Sequence, residues 1–278
     1  MSADKHSVQS VTRALMLLET LAEDGAGWRL TDLARRTGLS PSTAHRLLTT
    51  LQERRFAQFD PRQALWSVGR QAFSVGAAFG QRQTLIAPAL PYLRELRDLT
   101  RETANFGVVD DGEIIVMAQV ESREIVRAIA RTGGRASLTG SAMGKAVLSA
   151  YAPEEVATLL AGREQGRQAR GRLALEDALA RARSAGYAVD GQEGVAGMRC
   201  VASPVRNAAG DVIGAISVSG LAARLTAERI GEVGAQVVRV ASAFSAVLGA
   251  GAAGRSSRAP ERRRSSDAPP TPRSGDFG

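Results

Sequence analysis

The side chains best equipped to recognise another molecule lie in the stretch Ser40-Pro41-Ser42-Thr43-Ala44-His45-Arg46-Leu47-Leu48-Thr49-Thr50-Leu51. At helical spacing Ala44, Leu47, Leu48 and Leu51 share one face, and Ser42, Thr43, Arg46 and Thr49 share the other. Short hydroxyls with one arginine and no acid suit a helix laid in the DNA major groove, where an arginine fork pairs with guanine. An ordinary amphipathic surface helix has the same pattern. Ser40 suits the N-cap and Pro41 the first helical position, which needs no amide hydrogen. Just upstream, Leu30-Thr31-Asp32-Leu33-Ala34-Arg35-Arg36-Thr37-Gly38-Leu39 reads as a capped short helix ended by Gly38. Helix, Gly-containing turn, helix is a helix-turn-helix unit.

Other chemistries lack their residues. The only histidines are His6 and His45 and the only cysteine is Cys200, so neither a Ser-His-Asp triad nor a Cys/His zinc site can be assembled in the second half. No catalytic residue, metal or cofactor is therefore expected. The run 140–146 resembles a phosphate loop, but it is one residue short between glycines and has Ala146 where magnesium needs a hydroxyl. Lys145 is the one residue there that could serve an enzyme, but a lysine at a helix start reads as structural or anion-binding.

The elements that must position these residues follow from periodicity. Val11, Ala14, Leu15, Leu18, Leu21 and Ala22 give a helical stripe over about 7–23, closing a core behind the two helices. Residues 56–59 and 65–68 read as strands around the turn Asp60-Pro61-Arg62-Gln63, which makes the unit a winged helix-turn-helix over 1–68. Arg62 at the wing tip suits a phosphate, or is simply a turn arginine. A linker helix over 69–84 leaves Ala72, Phe73, Gly76 and Phe79 on one side, a face expected to pack on a partner subunit. Helical pattern resumes over 84–103.

From Ala104 the pattern changes to strands. Residues 105–110 and 113–120 flank Asp111-Gly112, a hairpin signal, and 124–130 is a third strand candidate. Helices are predicted at 143–150, 153–160 and 173–185, strands at 187–189, 200–206 and 212–219, and a closing helix over 226–248. Residues 85–249 thus form an α+β domain able to enclose a small ligand. Residues 250–278, rich in Gly, Ala, Arg, Ser and Pro, predict a disordered tail.

The bulk numbers fit this division. A formal net charge of +8 favours a polyanionic partner without specifying sequence. A lone cysteine, a polar start and no apolar run near the ~18 residues of a membrane span predict a cytoplasmic chain without a membrane partner.

Several blocks resemble the isocitrate-lyase-regulator (IclR) family of bacterial transcription factors: Gln9 to Leu15, Leu30 to Leu39 and Ser42 to Leu48 in the first half. In the second half, Met143-Gly144-Lys145-Ala146, Gly186 to Asp190, Gly197 to Ala202 and Ser217 to Gly220 agree independently. The resemblance implies a winged-helix DNA reader, a linker helix and a GAF-like effector domain, in homodimers that pair into dimers of dimers on operator DNA. The expected protein is a metabolite-responsive transcriptional regulator without enzymatic activity, with Ser42, Thr43 and Arg46 on base edges and Thr31, Ser40 and Arg62 on phosphates. For members that respond to 2-oxo acids, it further implies a pocket of Asp190, Cys200, Ser217, Ser219 and the amides of Ala142 and Met143. Ser217 and Ser219, two apart on a strand, share a face, and helix-start amides receive anions.

Ser137, Thr139, Gly140, Leu221 and Arg55 depart from the family's usual pattern, as does the Arg-rich stretch 162–172. These departures and the block Glu121-Ser122-Arg123-Glu124-Ile125 resemble a glyoxylate-sensing branch. The competing expectations are an enzyme acting on a small carbonyl compound and a DNA-binding protein whose second domain only oligomerises.

Overall fold

The computed structural model describes residues 8–82, 85–128, 131–160 and 169–256. The chain divides into two compact units, Met1–Leu85 and Ile86–Gly278.

In the first unit, α1 (Gln9–Glu23), α2 (Leu30–Thr37) and α3 (Pro41–Glu53) are followed by a hairpin of β1 (Ala57–Asp60) and β2 (Leu65–Val68), then α4 (Arg70–Arg82). Gly38 ends α2 at φ 69°, a left-handed conformation that glycine adopts without a Cβ penalty, and its amide reaches the carbonyls of Ala34 and Arg35. The core joins Leu17, Leu21, Leu33, Ala34, Ala44 and Leu48 to Ala57 and Trp66 of the hairpin. Trp66 is held further by a two-bond bridge to Trp28, whose amide lies 2.8 Å from the Trp66 carbonyl. The stripe expected on α1 is rotated: Leu17, Thr20 and Leu21 are buried, whereas Val11 and Leu15 are exposed. The helix carries more apolar residues than one face can hold, so periodicity alone does not select the buried set. Behind the wing, a Cβ on Gly69 would lie 2.3 Å from the Arg55 carbonyl oxygen, so only glycine allows this crossing of backbones.

The second unit opens with α5 (Ile86–Thr100) and is built on an antiparallel sheet of six strands in the order β5-β4-β3-β8-β7-β6. These are β3 (Thr103–Asp110), β4 (Glu113–Val120), β5 (Arg135–Ser137), β6 (Ala188–Asp190), β7 (Met198–Arg206) and β8 (Val212–Leu221). Alternation sends Phe106, Ile216 and Val218 to the face covered by α5 and α9 (Ala227–Ser256), where Phe106 meets Phe244 edge-on at 5.5 Å. The other face carries α6 (Ala142–Ser149), α7 (Pro153–Leu160) and α8 (Ala169–Ala185) over a core of Ile114, Val116, Ala202, Ala215 and Ala188. All eight residues of α6 are buried. A Cβ on Gly144 would lie 2.1 Å from the Leu138 carbonyl, so this helix enters the core hard against the preceding loop.

Three expectations need correction. The strand expected over 124–130 is absent from its described part, residues 124–128. There Ser122 and Thr103 side chains bond the backbone instead: Ser122 Oγ accepts from the Glu124 amide at 3.1 Å, and Thr103 Oγ1 donates to the Ala128 carbonyl at 2.8 Å. The strand beside β4 is β5, too short to show a period. The closing helix does not stop at 248 but runs to Ser256; residues 257–278 lie outside the described residues. Finally, one segment does match a membrane span by length and composition: Ala227–Gly249, with mean hydropathy 1.2. In this fold it is a core helix, burying Val233, Val237, Val240, Ala241 and Phe244.

Candidate functional site

Two sets of side chains emerge, one in each unit. In the first, Ser40 caps α3: its Oγ accepts from the Thr43 amide at 3.2 Å, donates to Thr43 Oγ1 at 2.8 Å and lies 3.1 Å from Ser42 Oγ. Three hydroxyls are thereby gathered at the start of the helix, where backbone amides also point outward. Arg46 follows one turn on, exposed and, among the described residues, without an acidic partner. Thr49 is turned to its own helix, donating to the His45 carbonyl at 2.9 Å. Thr31 is exposed at the start of α2, and Arg62 is exposed on the wing. Asp60 Oδ1 accepts from the Arg62 amide at 2.8 Å and so fixes the turn that carries this arginine. Beside Arg46 a groove of about 610 Å³ is lined also by Gln9, Ser10 and Arg13 of α1. Position on a separate helix hides that neighbourhood from a reading of α3 alone.

In the second unit the α6-facing side of the sheet changes character along its strands. Gly107 and Ala215 pair at one level, and the would-be Cβ of Gly107 lies 3.1 Å from Met143 Sδ, so α6 packs on small residues there. The next level on this face is Gln119, Asn105, Ser217, Ala202 and Ala188, and the one after is Thr103, Ser219, Cys200 and Asp190. Polar residues thus replace Gly107, Ala215, Ala202 and Ala188 on four strands at once. Asn105 and Ser217 are each 1% exposed, and Ser219 and Asp190 each 6%.

These residues bond one another. Asn105 Nδ2 donates to Ser217 Oγ at 3.4 Å and to Ser219 Oγ at 3.2 Å. Gln119 Nε2 donates to Asn105 Oδ1 at 3.2 Å. Cys200 Sγ donates to Ser219 Oγ at 3.2 Å. Burial pushes the Cys200 thiol up to about 11; the Ser219 hydrogen bond opposes this and the Asp190 charge reinforces it, so the group is a protonated donor at neutral pH. Asp190 lies across from Cys200 in the ladder, but its Oδ1 is taken by the amides of Gln192, Glu193 and Gly194 at 3.1, 2.7 and 3.3 Å. Lys145, only 2% exposed, fastens the same loop by donating to the Val189 carbonyl at 3.0 Å and to Glu193 Oε1 at 2.7 Å.

Of the sequence-predicted set, Cys200, Ser217 and Ser219 come together directly and Asp190 borders them. Ala142 and Met143 occupy the first turn of α6, whose leading amides have no intrahelical acceptor. Asn105 and Gln119 were not singled out by the sequence. Asparagine in a strand reads as neutral, and its partners Ser217 and Ser219 are 112 and 114 residues away. Without a histidine or an ionised thiol the cluster is equipped to bind by donated hydrogen bonds rather than to attack a substrate.

Comparison with known proteins bears on both sites. Residues 10–61 match the IclR helix-turn-helix domain, and residues 77–246 match the bacterial transcriptional regulator IclR C-terminal domain. The chain is 38% identical over 248 residues to the acetate operon repressor of Salmonella typhimurium, covering 87% of this chain and 90% of that protein. It is 37% identical over the same length to the transcriptional repressor IclR of Escherichia coli, with the same coverage. The crystal structure of Thermotoga maritima IclR shares the fold, with a TM-score of 0.67 and 24% identity over 87% of this chain and 99% of that one. An exposed hydroxyl-and-arginine helix in a helix-turn-helix unit, followed by a domain with a hydrogen-bonded polar cluster, is what these relatives would lead one to find; the chain belongs to the IclR family of transcriptional regulators, with a DNA-binding helix-turn-helix domain and a C-terminal effector domain, and as a member of that family of regulators is not an enzyme.

Proposed function

We propose that the protein is a cytoplasmic repressor whose grip on operator DNA is set by a small 2-oxo acid such as glyoxylate, bound in a GAF-like second domain. The cluster of Ser217, Ser219 and Cys200 is the observation that carries this reading: Asn105 and Cys200 donate to the two serine oxygens, and among the described residues no bond takes up the serine protons, which leaves them to be given to a ligand. The acid's carboxylate takes the serine hydroxyls and the amides of Ala142 and Met143. Its carbonyl end, hydrated, faces Asp190, which would repel a carboxylate. In the first domain Ser42, Thr43 and Arg46 read base edges, and Thr31, Ser40 and Arg62 hold phosphates. Homodimers, pairing further into dimers of dimers, form through faces such as that of α4, where Phe73 is 80% exposed. A ligand moves the DNA-binding equilibrium only by its different affinity for the two states.

Titration calorimetry against glyoxylate, pyruvate and larger 2-oxo acids tests the pocket. Ser219→Ala is expected to weaken the best ligand by about 10-fold or more, the loss of one charge-assisted hydrogen bond. Undiminished binding by the variant would remove the proposed pocket.

A further inference from the structure

The hydrogen bonds among Gln119, Asn105, Ser217, Ser219 and Cys200 have a direction. Gln119 donates to Asn105 Oδ1, which leaves the two Nδ2 hydrogens for Ser217 and Ser219. Ser219 Oγ also accepts from the Cys200 thiol, so its two lone pairs are both occupied. Its own proton must therefore be given away. Among the described residues no acceptor for the Ser217 or Ser219 proton is found beyond these partners. Ser219 therefore has no lone pair left for an N–H of a ligand, and Ser217 keeps one of its two.

From this we infer that Asn105, itself oriented by Gln119, is the positioning residue that makes Ser219 a donor only and leaves Ser217 a single lone pair, so that this wall of the site selects ligands presenting acceptors over isosteres presenting N–H groups. This rests on the reading of the cluster as the ligand site, and it adds what that reading lacks: the reason for preferring an acid over its amide. Asn105 need not touch the ligand. It acts by deciding which way two serine protons point, and Cys200 by completing the set at Ser219. A hydroxyl free to rotate would serve either ligand, because it is both donor and acceptor.

The test measures the ratio of affinities for glyoxylate and for glyoxylamide, its neutral amide, by titration calorimetry on the full-length protein. Two uncharged substitutions that cannot hydrogen-bond are compared with the parent: Asn105→Leu and Gln119→Met. The parent is expected to prefer the acid by about 100-fold or more, since the amide brings two hydrogens to a wall with a single free lone pair, that of Ser217. Asn105→Leu frees the serine hydroxyls to turn and narrows that ratio by about 10-fold. Gln119→Met releases the Asn105 amide to flip and narrows it in the same direction by several-fold. Simple damage to the site would weaken acid and amide alike and leave the ratio unchanged. Gln119 is only partly buried, so its variant decides the matter if Asn105→Leu does not fold. A ratio unchanged in the variants that fold, or a parent that prefers the amide, overturns the inference while leaving the ligand site standing. A parent that binds neither compound overturns the 2-oxo acid reading, and this inference with it.

Discussion

Cys200 offers a sharp test of the buried cluster, because as the only cysteine it is the only site a thiol reagent can modify. Burial raises its pKa from an ordinary 9.0 to about 11. At pH 7 the thiolate fraction then falls from about 1% to about 0.01%, a ~100-fold drop in the species that reacts. Iodoacetamide alkylation followed by intact-mass spectrometry over pH 7 to about 10.5 reads this directly. The rate constant should climb about tenfold per pH unit across the whole range, without levelling off. Stability has a matching dependence. Below pH 9 the thiol is protonated whether the chain is folded or not, and its contribution is fully present. Between 9 and 11 the unfolded chain gives up the proton while the folded chain keeps it, so stability falls as pH rises, by about 1.4 kcal/mol per unit and roughly 2.7 kcal/mol in all. Cys200→Ala should remove that slope. An alkylation rate that levels off near pH 9 would mean a thiol in contact with water, and would refute both the burial and the donor role given to Cys200.

Three further outcomes follow from particular contacts. Glu102, 1% exposed, holds Arg224 by two bonds of 2.6 and 2.7 Å, so Glu102→Gln should cost about 3–5 kcal/mol in urea unfolding of the second domain, by stranding a partly buried arginine. Gly69→Ala would bring a Cβ to within 2.9 Å of the Ala57 carbonyl oxygen as well as 2.3 Å of that of Arg55; displacing the wing should lower first-domain stability by about 1–3 kcal/mol or more, read as an earlier thermal transition. In mobility-shift titrations Arg46→Ala should narrow the gap between operator and scrambled duplex by about 1–3 kcal/mol, whereas Arg62→Ala should weaken both about equally; equal losses from the two variants would defeat the division of roles.

How much of this was legible in the sequence depended on how local the determining forces are. The helix-turn-helix unit was plain because its signals are short-range: the Ser40 cap, Pro41 behind it and Gly38 at φ 69° all act within one turn of chain. Arg55, standing where the family usually has glycine, still takes φ 61°, so tertiary contacts there override local preference. Residues 124–128 misled because side-chain bonds from Ser122, Thr103 and Arg224 stand in for a strand ladder, and no period marks that substitution. The second site was legible only in part. Ser217, Ser219, Cys200 and Asp190 came from resemblance to the family, whereas Asn105 and Gln119 became visible only when antiparallel register set them beside the serines.

The most direct measurement is fluorescence anisotropy of DNA flanking the protein's own gene, titrated with protein at low ionic strength, with and without saturating glyoxylate. The account predicts specific binding whose Kd shifts by about 5- to 150-fold on adding the acid, the range of ordinary coupling between two sites. Protein that binds glyoxylate in the calorimeter yet holds the same DNA with unaltered affinity would contradict the coupling, and protein that ignores the DNA altogether would contradict the account at its base.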